Sequence, residues 1–116
     1  MGVRSDVGLA IKRNAWASIS ADNRAKLDEV MSWVDETVEN DEGFLFCWRD
    51  TKWYHETYSE IKALYEVLST LEPSDFTLVC ATPEDPMDNS ADLGGWWQNP
   101  WDLSKYATCT LEYSMK

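Results

Sequence analysis

Residues 20–42 read SADNRAKLDEVMSWVDETVENDE, and the fold turns on how far a helix runs through them. Ser20 or Asp22 can cap an N-terminus by accepting a bond from a free backbone N–H. Leu27, Val30, Met31, Val34 and Val38 then fall on one stripe at helical spacing. The pattern predicts a helix from Ser20 to about Val38. Asn40 to Gly43 ends it, with Gly43 supplying backbone freedom for the exit. On that helix Asp28, Asp35 and Glu39 stack into a column about 17 Å long, from a rise of about 1.5 Å per residue. Glu29 and Glu36 lie beside it. Lys or Arg partners are missing from the column, and like charges at this spacing cost a few tenths of a kcal/mol each.

Before this segment, Asp6 to Lys12 (DVGLAIK) alternates Val7, Leu9 and Ile11 with small or polar residues, as a half-buried strand does. After it, Gly43 to Trp48 (GFLFCW) is an apolar run, and Trp53-Tyr54-His55 resumes it beyond the polar Arg49-Asp50-Thr51-Lys52. The expected unit is a β-hairpin turning at 49–52. Ser59 to Leu71 reads as a second amphipathic helix, capped by Ser59, with Ile61, Leu64, Tyr65, Leu68 and Leu71 inside. Pro73 disfavours helical geometry at Glu72 and ends it. Phe76 to Ala81 (FTLVCA) is a buried type of strand.

Thr82 to about Lys105 changes character. It holds Pro83, Pro86 and Pro100, the pair Gly94-Gly95, and the run Trp96-Trp97-Gln98-Asn99-Pro100-Trp101. The expectation is a long Trp-rich loop, followed by a terminal strand over Tyr106 to Met115. The order β-α-β-β-α-β plus one strand matches a ferredoxin-like α+β fold. Two helices would pack on one face of an antiparallel sheet. Neither a repeat nor a linker divides the chain, so residues 1–116 are read as one domain.

Lys plus Arg number 10 and Asp plus Glu number 21, for a formal net charge of −11. Residues 27–48 carry seven acids and residues 63–104 carry eight, and neither stretch holds a Lys or Arg. A chain so charged repels nucleic acid phosphates and anionic membranes, which argues against direct binding to either. Its natural partner is the basic surface of another protein. The alternative is a face that only keeps the chain soluble.

Trp is enriched at binding hot spots, and acid beside Trp suits a cationic group. The candidate partner-binding residues are therefore Asp28, Asp35, Glu36, Glu39, Asp85, Asp88, Asp92, Trp96, Trp97 and Trp101. Two other uses of the tryptophans stay open. The loop folds back and plugs one sheet face, or it closes over a small ligand on the sheet.

Catalytic and cofactor signatures are not found. His55 is the single histidine and lacks a partnered nucleophile motif. The spacing of Asp85, Asp88, Asn89 and Asp92 fails the EF-hand pattern. Gly94-Gly95 follows acids and precedes tryptophans, the wrong setting for a phosphate. Cys47, Cys80 and Cys109 are far apart in sequence, without zinc-type pairing, and read as reduced, mostly buried thiols of a cytoplasmic protein. The expectation is a protein without enzymatic activity, metal or cofactor. No segment approaches the length of apolar sequence needed to span a bilayer.

The opening MGVRSDVGLAIK, the acidic helix and the FCWRDTKWY segment together resemble small accessory proteins encoded by tailed bacteriophages. The resemblance covers the first half of the chain. It implies an inhibitor of a host or defence protein, one that occupies a nucleic-acid-binding groove as a mimic. It carries over no particular residue.

Overall fold

The computed structural model describes residues 5–51, 58–81, 91–96, 99–101, 103–105 and 111–112. The elements in chain order are β1 (Ser5–Lys12), α1 (Arg13–Ser18), α2 (Ala21–Lys26), α3 (Asp28–Ser32), β2 (Glu36–Glu39) and β3 (Gly43–Thr51). They continue as α4 (Ser59–Leu68), a 3-10 turn at Pro73–Asp75, β4 (Phe76–Ala81), β5 (Ala91–Gly94), β6 (Ser104–Lys105) and β7 (Leu111–Glu112). The fold class is α+β. Five strands form one antiparallel sheet in the order β2-β3-β1-β4-β5, and β6 pairs with β7 separately.

β1 lies at the centre, which explains its composition. Val7, Leu9 and Ile11 face the helices, where they meet Phe46 and Trp48 of β3, Leu78 of β4, Val30 of α3, and Ile61 and Leu64 of α4. The alternate residues Gly8 and Ala10 are also buried, so the strand is covered on both faces rather than one. Ala10 joins Leu45, Cys47, Val79 and Ala81 in a second core on the opposite face. That face is floored by small side chains, which leaves depth for a large one from above.

Trp101 supplies it. The ring is 0% exposed, and Leu103 beside it is 2% exposed. Asn99, itself 1% exposed, closes this segment into a plug. Its amide donates to the Trp96 carbonyl at 2.9 Å, and its Oδ1 accepts from the Leu103 N–H at 2.8 Å. Both ends of a buried amide are thus used, as burial of a polar group demands.

The segment 20–42 departs most from its sequence pattern. Ser20 does cap a helix, accepting from the Asn23 N–H at 3.2 Å. The helix is broken, however, at Leu27 and ends at Trp33. The apolar stripe holds as far as Val34: Leu27 and Val30 are buried, and Met31 and Val34 pack against the core. Residues 36–39 are a strand instead, pairing Glu36 with Cys47 and Val38 with Leu45. Val38 consequently packs in the core on the other side of the sheet. The predicted carboxylate column of Asp28, Asp35 and Glu39 does not exist. Thr37 and Val38 are β-branched, and an adjacent partner strand rewards extension there.

Other boundaries differ as well, and α4 ends at Leu68 rather than at Leu71. β3 continues through Arg49-Asp50-Thr51 past a shift in register, because β1 offers Ser5 as a partner for Thr51, so the polar residues do not turn the chain there. In α4 the cap position is Tyr58 and Ser59 is the first helical residue. The Trp-rich stretch is also less of a loop than expected, since β5 pairs with β4 within it. Trp53, Tyr54 and His55, and most of the expected terminal strand, lie outside the described residues. Among the described residues, no helix is long and apolar enough to cross a membrane.

Candidate functional site

Asp35, Glu36, Glu39, Asp41 and Glu42 fall within eight consecutive residues, and they fringe one edge of the main sheet. Each has a defined position. Asp35 sits in the bend before β2, where its N–H donates to the Cys47 carbonyl at 2.8 Å. Glu36 lies on the plug face of the sheet, opposite Cys47, and Glu39 on the helix face, opposite Phe44. Asp41 and Glu42 form the two-residue turn into β3. Asn40 builds that turn: its Oδ1 accepts from the N–H groups of Glu42 and Gly43 at 2.9 and 3.1 Å. Gly43 is required there, because a Cβ would run into the backbone carbonyl of Ile11.

Three cations stand near these five carboxylates: Arg13, Arg49, and Lys12 on the cleft wall shared with Asp41 and Glu42. Arg13 donates through Nη2 to Glu39 Oε2 at 2.7 Å and to the Asn40 carbonyl at 2.6 Å, and its guanidinium lies 4.9 Å from the Phe44 ring centre. Arg49 stands near the other end, its backbone N–H held by the Asp35 carboxylate at 2.7 Å. Among the described residues, Asp35, Glu36, Asp41 and Glu42 have no ion-pair partner. The edge is therefore left negative.

The acids also act on Cys47, which is fully buried. Burial pushes its thiol up to about 12. Arg49 is the main opposing charge, and Glu36, Asp6 and Asp35 add to the rise. Carboxylates from two strands and a bend thus share one neighbourhood. A thiol in that state is not a nucleophile at neutral pH.

Beyond the turn the edge opens into a cleft of about 790 Å³. Arg13, Asp41 and Glu42 line it on the β2 side, and Ser74, Gly95 and Trp96 across from them. Lys12 lies between, 3.5 Å from the Asp75 carboxylate and 5.6 Å from the Trp96 ring centre. Both cleft cations are already engaged, whereas the turn carboxylates are exposed. The cleft thus presents free negative charge beside a half-buried aromatic ring.

The expected site residues are dispersed accordingly. Glu36 and Glu39 share β2, Asp35 adjoins them, and Trp96 reaches the same region across the cleft. Asp28 is exposed in the first turn of α3, in the helical layer. Asp92 lies in β5, at the opposite edge of the sheet from β2. Four strand spacings separate the two edges, roughly 19 Å at about 4.8 Å each. Trp101 belongs to the plug-face core and is withdrawn from any contact surface, because its ring is sealed against the sheet. Asp85, Asp88 and Trp97 lie outside the described residues. Asp41 and Glu42 were not anticipated as site residues. The signal for them is the Asn40-x-x-Gly43 spacing, which suits a two-residue turn between strands.

Among the described residues, no group of three His, Cys, Asp or Glu side chains stands close enough to hold a metal ion. Comparison with known proteins returns no matching family model, no matching curated protein and no matching solved structure.

Proposed function

We propose that this chain is a non-enzymatic protein-binding module that engages the basic surface of a partner, as phage-type inhibitors of host or defence proteins do. One observation carries the reading. Five carboxylates fringe a single sheet edge and its turn, and among the described residues four of them, all but Glu39, have no ion-pair partner, while the nearby Lys12 and Arg13 are already engaged with Asp75 and Glu39. Unpaired like charge held along a rigid strand is unfavourable for the free chain and becomes favourable against a cationic surface. A groove that otherwise holds nucleic acid phosphates is one such surface, which makes the edge a phosphate-track mimic.

The scaffold reading goes with it. The order β2-β3-β1-β4, with helical crossovers from β1 to β2 and from β3 to β4, supports a ferredoxin-like core extended by β5. Such a core leaves β2 at an edge, where charge is accessible.

The test is retention of a basic protein by the immobilised chain. Retention at low salt, release at high salt and competition by duplex DNA are expected, since exposed charges are screened beyond about 8–10 Å at ~0.1–0.15 M salt. The triple reversal Glu36→Lys, Asp41→Lys, Glu42→Lys should abolish it. Retention that survives both salt and charge reversal would refute the reading.

A further inference from the structure

The outer side of β2 is an open half-ladder. The Asn40 N–H donates to the Gly43 carbonyl at 3.0 Å, which makes these two a hydrogen-bonded pair. Antiparallel pairing alternates, so Val38 with Leu45 and Glu36 with Cys47 are the next bonded pairs. Thr37 and Glu39 therefore turn their N–H and C=O groups away from β3. Both residues are exposed, and among the described residues no strand lies beyond them.

Such an edge is a template for another extended chain, and its charge decides which. A second copy of β2 would set the same row of acids from Asp35 to Glu42 beside this one, and like charges close together across strands are destabilising. A cationic strand meets the opposite situation. Glu36 offers an unpaired carboxylate on the plug face and Glu39 one on the helix face that stays half-exposed beside its Arg13 partner, so a strand with cations on both of its faces is matched. The exposed carboxylates of Asp41 and Glu42 extend the match to its next residues, beside the cleft.

We propose that β2 accepts an extended cationic segment of a partner protein as an additional strand. This specifies the mode of the protein-binding function above and rests on it. Backbone bonds to Thr37 and Glu39 supply the pairing, while the carboxylates select Lys or Arg and reject self-association.

The probe is the acetylated, amidated peptide Lys-Val-Thr-Arg-Val-Thr-Lys, whose cations fall on alternate faces when extended. Two isomers carry N-methyl groups on alternate amides, one on the odd set and one on the even set. An added strand uses only one set. The parent peptide should bind, one isomer should lose roughly tenfold or more, and the other should keep its affinity. Thr37→Pro should weaken the parent peptide similarly. Its N–H makes no bond to β3, and proline is accepted at strand edges. Far-UV circular dichroism and thermal melting check that this variant is folded.

Equal binding by both isomers, with Thr37→Pro unaffected, would overturn strand addition. If charge reversal still abolished binding in that case, the broader acidic-surface reading would stand. Absence of parent peptide binding at low salt would also overturn strand addition, and retention of the basic protein would then decide the broader reading separately.

Discussion

The carboxylate of Asp35 is hydrogen-bonded to the backbone N–H of Arg49 at 2.7 Å, across the entrance to β2. The same residue is tied through its own N–H to the Cys47 carbonyl. Asp35 thereby fixes the point at which the chain leaves α3 and becomes extended. An acid expected to face solvent from a helix instead sets the register of an edge strand.

Asp35→Ala should lower stability by about 1–2 kcal/mol, the scale of a lost bond to a charged acceptor discounted for exposure. Asp35→Asn keeps an acceptor oxygen and should recover part of the loss. Urea denaturation of the three proteins measures both effects. An alanine variant as stable as the parent would mean that the bend holds through its backbone bond alone.

Trp101 and Trp96 should separate sharply. Trp101→Ala empties a fully buried site and should cost ~3–5 kcal/mol. Trp96 is half-buried and meets Trp101 edge-on, with ring centres 6.3 Å apart. Trp96→Ala should cost only about 1 kcal/mol. Equal losses in denaturant titrations would contradict the division between plug core and cleft wall.

Cys47 sets a pH dependence. Its thiol is raised from 9.0 to about 12, so above pH 9 the unfolded chain holds fewer protons there than the folded one. Stability is complete below that pH and declines as the pH climbs toward about 12, where the folded thiol also ionises. Cys47→Ala should remove this contribution and flatten the alkaline limb. Identical alkaline limbs for parent and variant would count against a buried, protonated thiol. In the native protein, thiol reagents near neutral pH should reach Cys47 only on unfolding.

Gly43→Ala should cost ~2–4 kcal/mol, because the new Cβ meets backbone rather than a side chain that can move aside. Thermal melting reads this directly. The variant should also bind the cationic peptide more weakly, since Gly43 anchors the turn that carries Asp41 and Glu42.

How legible this was depends on where each element's information sits. β1, α4 and β4 announce themselves locally, through unbroken periodicity and through Pro73 between the last two. Residues 33–39 do not. Val34 and Val38 satisfy helical spacing, while the β-branched pair Thr37-Val38 suits a strand equally. The choice is made by Leu45 and Cys47, which supply the partner, and that information is not local. The same holds for Arg49 to Thr51, polar enough for a turn but claimed by β1.

The site was legible in its chemistry more than in its geometry. The acids of residues 35–42 were visible as a stretch without cations, but the column drawn through them assumed the wrong element. Trp101 was ambiguous because its burial depends on distant small residues. Gly8, Ala10 and Ala81 alternate with large ones in their strands, and that alternation is the trace of a bulky filler on the second face.

The plug has a consequence for how the protein is made. Residues 99–103 come later in the chain than all five strands of the sheet they cover. On the ribosome, the sheet's Ala10, Leu45 and Val79 surface therefore emerges before its lid exists. A nascent chain halted just short of Trp101 would display bare apolar surface, whatever its helices had already buried. Arrested translation products ending before and after Trp101 should accordingly differ in how strongly they recruit holdase chaperones.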